Sequence, residues 1–333
     1  MKAPISILIT AYQAEKYIEE CLDSIENQTY FNDNNDFEVL VGVDACEFTL
    51  NKLKQISYKY RNLRIFMMDN NQGTYITMNT LLDIAIYENL IRFDSDDKMK
   101  PYMIEKLMQY SDSYDIIKFM CENFGDIELN TIHTIESQYR YAQTYITGYG
   151  GAILRVNPSF DAPKKVQKRV KPTEYSCGTS FFKKKVFDIY GGYMPWICAA
   201  DYELMNRIGD DLNIKQIDEV LFYRRIHRNS LTQNEETGIH SEKRNEYLKI
   251  IAELKQNNYQ NVKVEIIDKI EDHDNKKHTE IINSKDIELL EKNIEEIQNY
   301  VNAHQSDETI GVLFNLYKKL PYINKYVIEN INK

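Results

Sequence analysis

Short apolar runs alternate with stretches of helical spacing over the first hundred residues. Ile5-Ser6-Ile7-Leu8-Ile9, Phe37-Glu38-Val39-Leu40-Val41-Gly42-Val43, Leu63 to Met68 and Leu90-Ile91-Arg92-Phe93 each stop at polar residues. Runs this short and this apolar predict strands buried on both faces. Between them, Ala14 to Asn27 carries Tyr17, Ile18, Cys21, Leu22 and Ile25 at helical spacing. Thr49 to Tyr60 and Tyr75 to Tyr87 repeat the pattern, and Asp69-Asn70-Asn71-Gln72-Gly73 is a turn cluster. Strand and helix at these spacings predict βαβ units, and therefore an α/β fold with a mostly parallel, Rossmann-like central sheet flanked by helices.

After Pro101 the periodicity is less regular. Asp115 to Phe119 and Thr179 to Phe182 read as strands, and Lys164 to Lys171 is a basic stretch between Pro158 and Pro172. Beyond Thr232 the composition shifts toward Glu, Lys, Asn and Ile. There Glu242 to Lys255 and Lys285 to Ala303 have amphipathic helix patterns, separated by the charged Glu271 to His278. These features predict a catalytic-size domain over 1–232 and a mainly helical C-terminal extension over 233–333. No internal repeat or sustained heptad run is visible.

Composition narrows the partners. The 333-residue chain carries a formal net charge of −10, which argues against a nucleic-acid binder working through a basic face. An acidic protein that handles an anionic nucleotide must gather cations locally, through a metal or a few Lys and Arg. Cys21, Cys46, Cys121, Cys177 and Cys198 are scattered, odd in number and free of any CxxC pair. A zinc site or disulfide framework is not expected, and a reducing, cytoplasmic setting is. The opening apolar run is too short for a signal segment or a membrane span.

Candidate chemistry sits at the strand ends. Phe93-Asp94-Ser95-Asp96-Asp97 directly follows an apolar strand, and open parallel sheets bind ligands at the carboxyl ends of their strands. Three carboxylates within four residues repel one another unless a cation lies among them, and Mg²⁺ or Mn²⁺ takes oxygen ligands and bridges to phosphates. The competing reading is a solvated acidic turn capping the helix that begins near Pro101. Asp44 ends a second strand and opens onto the same rim, either as an acceptor for a nucleobase or ribose or as a helix cap. Thr10-Ala11-Tyr12, at the end of the first strand, lines the same cleft.

Taken in order, these segments resemble the family 2 glycosyltransferases, the inverting group with the GT-A fold, from Ile5 to Thr232. Ser6 to Gln13, Tyr17-Ile18 and Cys21 to Gln28 are similar to the family's opening strand and helix. Asn71-Gln72-Gly73 with Asn79 resembles its "NxG…RN" segment, with Met78 in place of the Arg, and Asp94-Ser95-Asp96-Asp97 matches its DXD metal motif. Gly191-Gly192-Tyr193 followed by Ala200 to Arg207 resembles "GGF…EDxxLxxR", and Leu221 to Thr232 resembles "YRxHxxSxT".

The resemblance implies a glycosyltransferase that moves a sugar from a nucleotide-sugar, with UDP the expected nucleotide, to a hydroxyl of a glycan or other acceptor in polysaccharide biosynthesis. It implies that Thr10, Ala11, Tyr12 and Asp44 hold the nucleoside, with Asp94 and Ser95 near the ribose. Asp96 would be the principal ligand of Mn²⁺ or Mg²⁺, with His227 at the metal or the diphosphate and Arg224 or Arg228 neutralising phosphate charge. Asp201 would be the general base, with Glu203 as fallback. His227 also admits a purely structural reading. One departure stands out: the family's "ED" pair reads Ala200-Asp201, which implies slower catalysis or an unusual acceptor. Two rivals remain, a catalytically dead sugar-nucleotide-binding scaffold and a sugar-phosphate nucleotidyltransferase. The second typically has a Gly-rich loop after its first strand, and residues 10–20 hold no glycine. Lys164 to Lys171 is either a lid over the diphosphate or a solvated loop. The C-terminal helices are where oligomerisation would occur.

Overall fold

The computed structural model describes residues 2–33, 36–126, 173–175, 178–257, 259 and 278–283. The basic stretch Lys164 to Lys171, the helix expected over Lys285 to Ala303, and Cys177 lie outside these residues.

The four expected strands form as β1 (Ile5–Ala11), β2 (Phe37–Val43), β3 (Leu63–Met68) and β4 (Asn89–Asp94). They lie side by side in the order β3-β2-β1-β4, all parallel. Every residue of β1 and β2 is buried, as expected for strands covered on both faces. Ile5, Ile7 and Ile9 of β1 and Val39, Val41 and Val43 of β2 point to one apolar layer, and Leu8 and Leu40 point to the other. The first layer is completed by α1 (Ile18–Glu26), α2 (Glu47–Ile56) and α4 (Met103–Met108). The second is completed by α3 (Thr74–Ile84), α5 (Lys185–Tyr190) and α6 (Ala200–Arg207). Gly42 is what lets α3 approach β2, because a Cβ there would sit 2.7 Å from Thr77 Cγ2.

Beyond β4 the sheet becomes mixed. β5 (Lys98–Met99), β6 (Ile116–Gly125), β7 (Thr173–Tyr175), β8 (Ser180–Lys183) and β9 (Ile214–Ile226) extend it in the order β4-β8-β6-β9-β5, with β7 on β6. β8 runs antiparallel to β4, and β9 runs parallel to β6 over its length, with register shifts near Met120. At the opposite edge, β10 (His278–Asn283) pairs antiparallel with β3, and Arg64 Nε donates to Glu280 Oε1 at 2.8 Å. The expected helix after the composition shift forms as α7 (Glu242–Gln256). Ser241 caps it by accepting from the Arg244 N–H, and Tyr247 stacks on Trp196 with ring centroids 4.5 Å apart. No helix among the described residues is long and apolar enough to cross a membrane.

Candidate active site

β1, β2 and β4 end on one rim, and the turn into α3 faces them. Thr10 near the end of β1 shares a 2.6 Å hydroxyl contact with Thr74 at the start of α3. Ala11 is buried, whereas Tyr12 just beyond it is half-exposed. Asp44, one residue past β2, is buried, and both of its oxygens are engaged. Oδ1 accepts the Gln72 N–H and Oδ2 the Gly73 N–H, each at 2.8 Å. Burial pushes its carboxyl up from the ordinary range, and these two backbone donors pull it back. The carboxylate therefore ties the end of β2 to the turn that leads into α3. Gly73 turns the chain into α3 at φ +84°, a conformation that glycine adopts without strain.

The acidic loop after β4 is fastened from β9. Asp97 is buried, and its Oδ1 accepts the Arg225 N–H at 2.8 Å. Burial first, then repulsion from Asp96 and Asp94, pushes the Asp97 carboxyl well up. Arg225 Nε donates to the Asp96 carbonyl at 2.9 Å, and the guanidinium pairs with Glu20 while lying over the Tyr17 and Phe124 rings. With Asp97 used as this anchor, Asp94 and Asp96 are left on the rim, 37% and 21% exposed. His227 Nε2 lies 2.8 Å from Asp96 Oδ2, and its ring packs beside Tyr17. Burial raises the Asp94 carboxyl. Arg92 and, more weakly, Arg224 lower it, while Asp96 and Asp201 raise it further. Ser95 and Arg224 are half-buried, and Arg228 is exposed past the end of β9.

Asp201 enters from the other side of the cleft, in the first turn of α6. Its Oδ1 accepts the Tyr75 hydroxyl and the Tyr202 N–H, both at 2.9 Å. Ala199, just before the helix, sits in the left-handed region at φ 65°. Ala200 is fully buried in the layer beneath α6. Glu203 is fully buried too, and both of its oxygens are taken by Arg207, at 2.9 Å from Nε and 3.0 Å from Nη2. Arg207 in turn donates to the Tyr190 and Gly192 carbonyls. That network gives Glu203 a structural task. Asn79 fixes the same glycine turn from α3, exchanging two 2.8 Å hydrogen bonds with the Tyr193 backbone.

The structure thus links Thr10, Asp44, Asp94, Asp96 and His227 along the strand ends, with Asp201 near enough to act on the charge of Asp94. It also shows residues that sequence reasoning passed over. Arg225 holds the acidic loop. Arg92 lies buried between Asp94 and Asp201, with Tyr75 and Tyr193 against it. The available signal for Arg92 was a lone cation inside an apolar run.

Carboxylates gathered where parallel strands end suit a phosphate-bearing ligand held through a cation, and this α/β arrangement is the GT-A fold of nucleotide-sugar enzymes. The chain belongs to glycosyl transferase family 2, whose sequence pattern matches residues 6–190. It is 34% identical over 137 residues to an uncharacterized glycosyltransferase of Haemophilus influenzae, a match that spans 41% of each protein. It is 26% identical over 239 residues to the O-antigen biosynthesis glycosyltransferase WbnJ of Escherichia coli, covering 68% of this chain and 81% of that one. Among solved structures it is similar to the mannosyltransferase PcManGT of Pyrobaculum calidifontis in complex with GDP-Man and Mn²⁺. There the TM-score is 0.48 at 15% identity, covering 69% of this chain and 59% of the other.

Proposed function

We propose that this chain transfers a sugar, with inversion, from a UDP-sugar to a hydroxyl of a glycan acceptor, with a divalent cation at Asp96 and His227. The observation that carries the reading is the Asp96–His227 pair at the end of β4, with Asp201 close enough to Asp94 to act on its charge. Membership of family 2 and the naming of WbnJ for O-antigen synthesis support it.

The cation has to satisfy a donor-set test. Among the described residues, no three His, Cys, Asp or Glu side chains cluster closely enough to hold an ion alone. One carboxylate and one imidazole 2.8 Å apart instead supply two ligands, leaving positions for diphosphate oxygens and water, as Mg²⁺ and Mn²⁺ sites often do. When bound, such an ion offsets charge on the departing diphosphate. Arg224 and Arg228, at the end of β9, add positive charge on that side. Thr10, Ala11, Tyr12 and Asp44 contact the nucleoside, and Asp94 and Ser95 the ribose.

Asp201 takes the proton from the acceptor hydroxyl as that oxygen bonds to the anomeric carbon. The anomeric carbon–oxygen bond breaks with its electron pair going to the diphosphate. Tyr75 and the Tyr202 N–H hold Oδ1, so the second carboxylate oxygen is the one that faces the acceptor. Cys21, Cys46, Cys121 and Cys198 are buried among the described residues, and we place the reaction in the cytoplasm. Residues 1–232 are taken to hold the donor and the base, and 233–333 to serve the acceptor, solubility or oligomerisation.

Asp201→Asn tests the assignment, since it keeps size and hydrogen bonding but removes most of the basicity. UDP and Mn²⁺ binding by calorimetry should be unchanged, while transfer falls by about 10²- to 10⁴-fold. An active Asp201→Asn enzyme overturns the assignment. Ala200 favours one rival, a protein that binds the sugar nucleotide without turning it over. Wild-type binding without measurable donor turnover, across a panel of nucleotide-sugars and hydroxyl acceptors, would establish that rival instead.

A further inference from the structure

Arg92 is the least satisfied charge in the described core. Its side chain is 6% exposed, and Nη2 donates to Asp94 Oδ1 at 3.0 Å, yet Nε and Nη1 are buried without a protein partner. The guanidinium is flanked by the Tyr75 and Tyr193 rings, 5.8 and 5.9 Å from their centroids. Gly178 makes room for it, because a Cβ at that position would collide with Nη1. That same point lies 3.5 Å from Asp201 Oδ2. Nη1 and the second oxygen of Asp201 therefore both lie beside Gly178.

A buried charged donor left without partners is costly, and a cation kept only for packing would be replaced by an apolar side chain at little loss. Here the open donors sit between the two carboxylates that flank the cleft. Tyr75 touches both ends of this arrangement, donating to Asp201 Oδ1 while its ring faces Arg92.

We propose that Arg92 is a positioning residue for sugar transfer, holding the Asp201 carboxylate in its working orientation from beneath the cleft while it braces Asp94 on the donor side. This rests on Asp201 being the base. The side chain acts through Asp201 and does not touch the acceptor, since its open nitrogens are sealed from solvent. A misplacement of about 1 Å in such a group costs on the order of 10²-fold in rate.

The test is a cycle in the full-length enzyme, comparing Arg92→Met, Asp201→Asn and the double variant for donor KM, UDP affinity and kcat. Arg92→Met should lower kcat by about 10²-fold, with a smaller loss in donor KM and UDP affinity from the unbraced Asp94. On the Asp201→Asn background the same change should cost less than about threefold, because the group it positions is already disabled. Arg92→Lys should restore a good part of the loss. Gly178→Ala, which keeps the charge but crowds Nη1, should also lower kcat and likewise lose its effect beside Asp201→Asn. It carries the same comparison if Arg92→Met does not fold. Losses that multiply in the double variant, or a rise in KM at unchanged kcat, overturn the proposal. An Asp201→Asn enzyme as active as the wild type removes the base assignment itself, and this proposal with it.

Discussion

Replacing Glu203 by Gln separates a structural carboxylate from a catalytic one within three residues of the proposed base. Glu203 is fully buried and grips Arg207 with both oxygens. Gln fills the same volume, but its amide offers one acceptor oxygen where the carboxylate offers two, and its NH₂ faces an Arg N–H. Arg207 is left as a buried cation without its counter-charge. Breaking a buried ion pair from one side costs about 3–5 kcal/mol. At roughly 2–4 °C per kcal/mol for a domain of this size, thermal unfolding should fall by about 6–20 °C. Replacing both partners with Leu and Met should not recover everything, because Arg207 also satisfies the Tyr190 and Gly192 carbonyls. Those acceptors would be orphaned. Thermal melts supply the stability change, and transfer assays well below the lowered midpoint, normalised to folded protein, supply the activity. Folded Glu203→Gln enzyme should keep most of its transfer rate. A variant as stable as the wild type but inactive would refute the structural assignment and move the base two residues along α6.

Three further outcomes follow from the same geometry. Asp96→Ala should abolish Mn²⁺- or Mg²⁺-dependent donor turnover while leaving the melting curve of the metal-free protein within a few degrees; chelator-insensitive wild-type turnover counts against the cation reading. Asn79→Ala removes both hydrogen bonds to the Tyr193 backbone and strands buried partners, so urea unfolding should show a loss of about 2–4 kcal/mol; a loss below 1 kcal/mol would mean the turn is held without it. Lys52 first, then Lys59, lowers the Glu19 carboxyl from 4.5 to about 2. A depressed carboxyl stabilises the fold above its unfolded value and loses that contribution as pH falls through the folded one. Glu19→Gln should therefore cost under about 1 kcal/mol at pH 7, given the solvent exposure of the pair, with the gap closing between pH 4.5 and about 2. A gap that stays constant with pH contradicts the ion-pair cause.

What could be read in the sequence tracks burial. β1 to β4 were legible because helices cover both faces, so each strand is an unbroken apolar run. β9 was not, since Ile214–Ile226 mixes exposed, half-buried and buried positions without strict alternation, and its charged residues hide the strand. The half-exposed His278–Asn283 of β10 has no apolar run at all. At the site, Asp94 and Asp96 were visible as polar groups at a strand end, and His227 through the family resemblance. Asp44's partners lie 28 and 29 residues away, in the turn before α3, where no local pattern points to them. Glu203 looked like a spare base until its burial against Arg207 was seen. Arg92 needed Tyr75, Gly178, Tyr193 and Asp201 together, from segments that no local window holds.

The pairing of β10 with β3 also has a consequence in time. Arg64 and Glu280, which fasten the two strands, are separated by 216 residues. At a synthesis rate of about 5–20 residues per second, β3 leaves the ribosome roughly 10–40 s before its edge partner exists. For that interval the nascent sheet carries an open row of backbone donors and acceptors, which is the feature that templates edge-to-edge association. Chains stalled or clipped before residue 278 would keep that edge permanently. Self-association of such chains is the expected result.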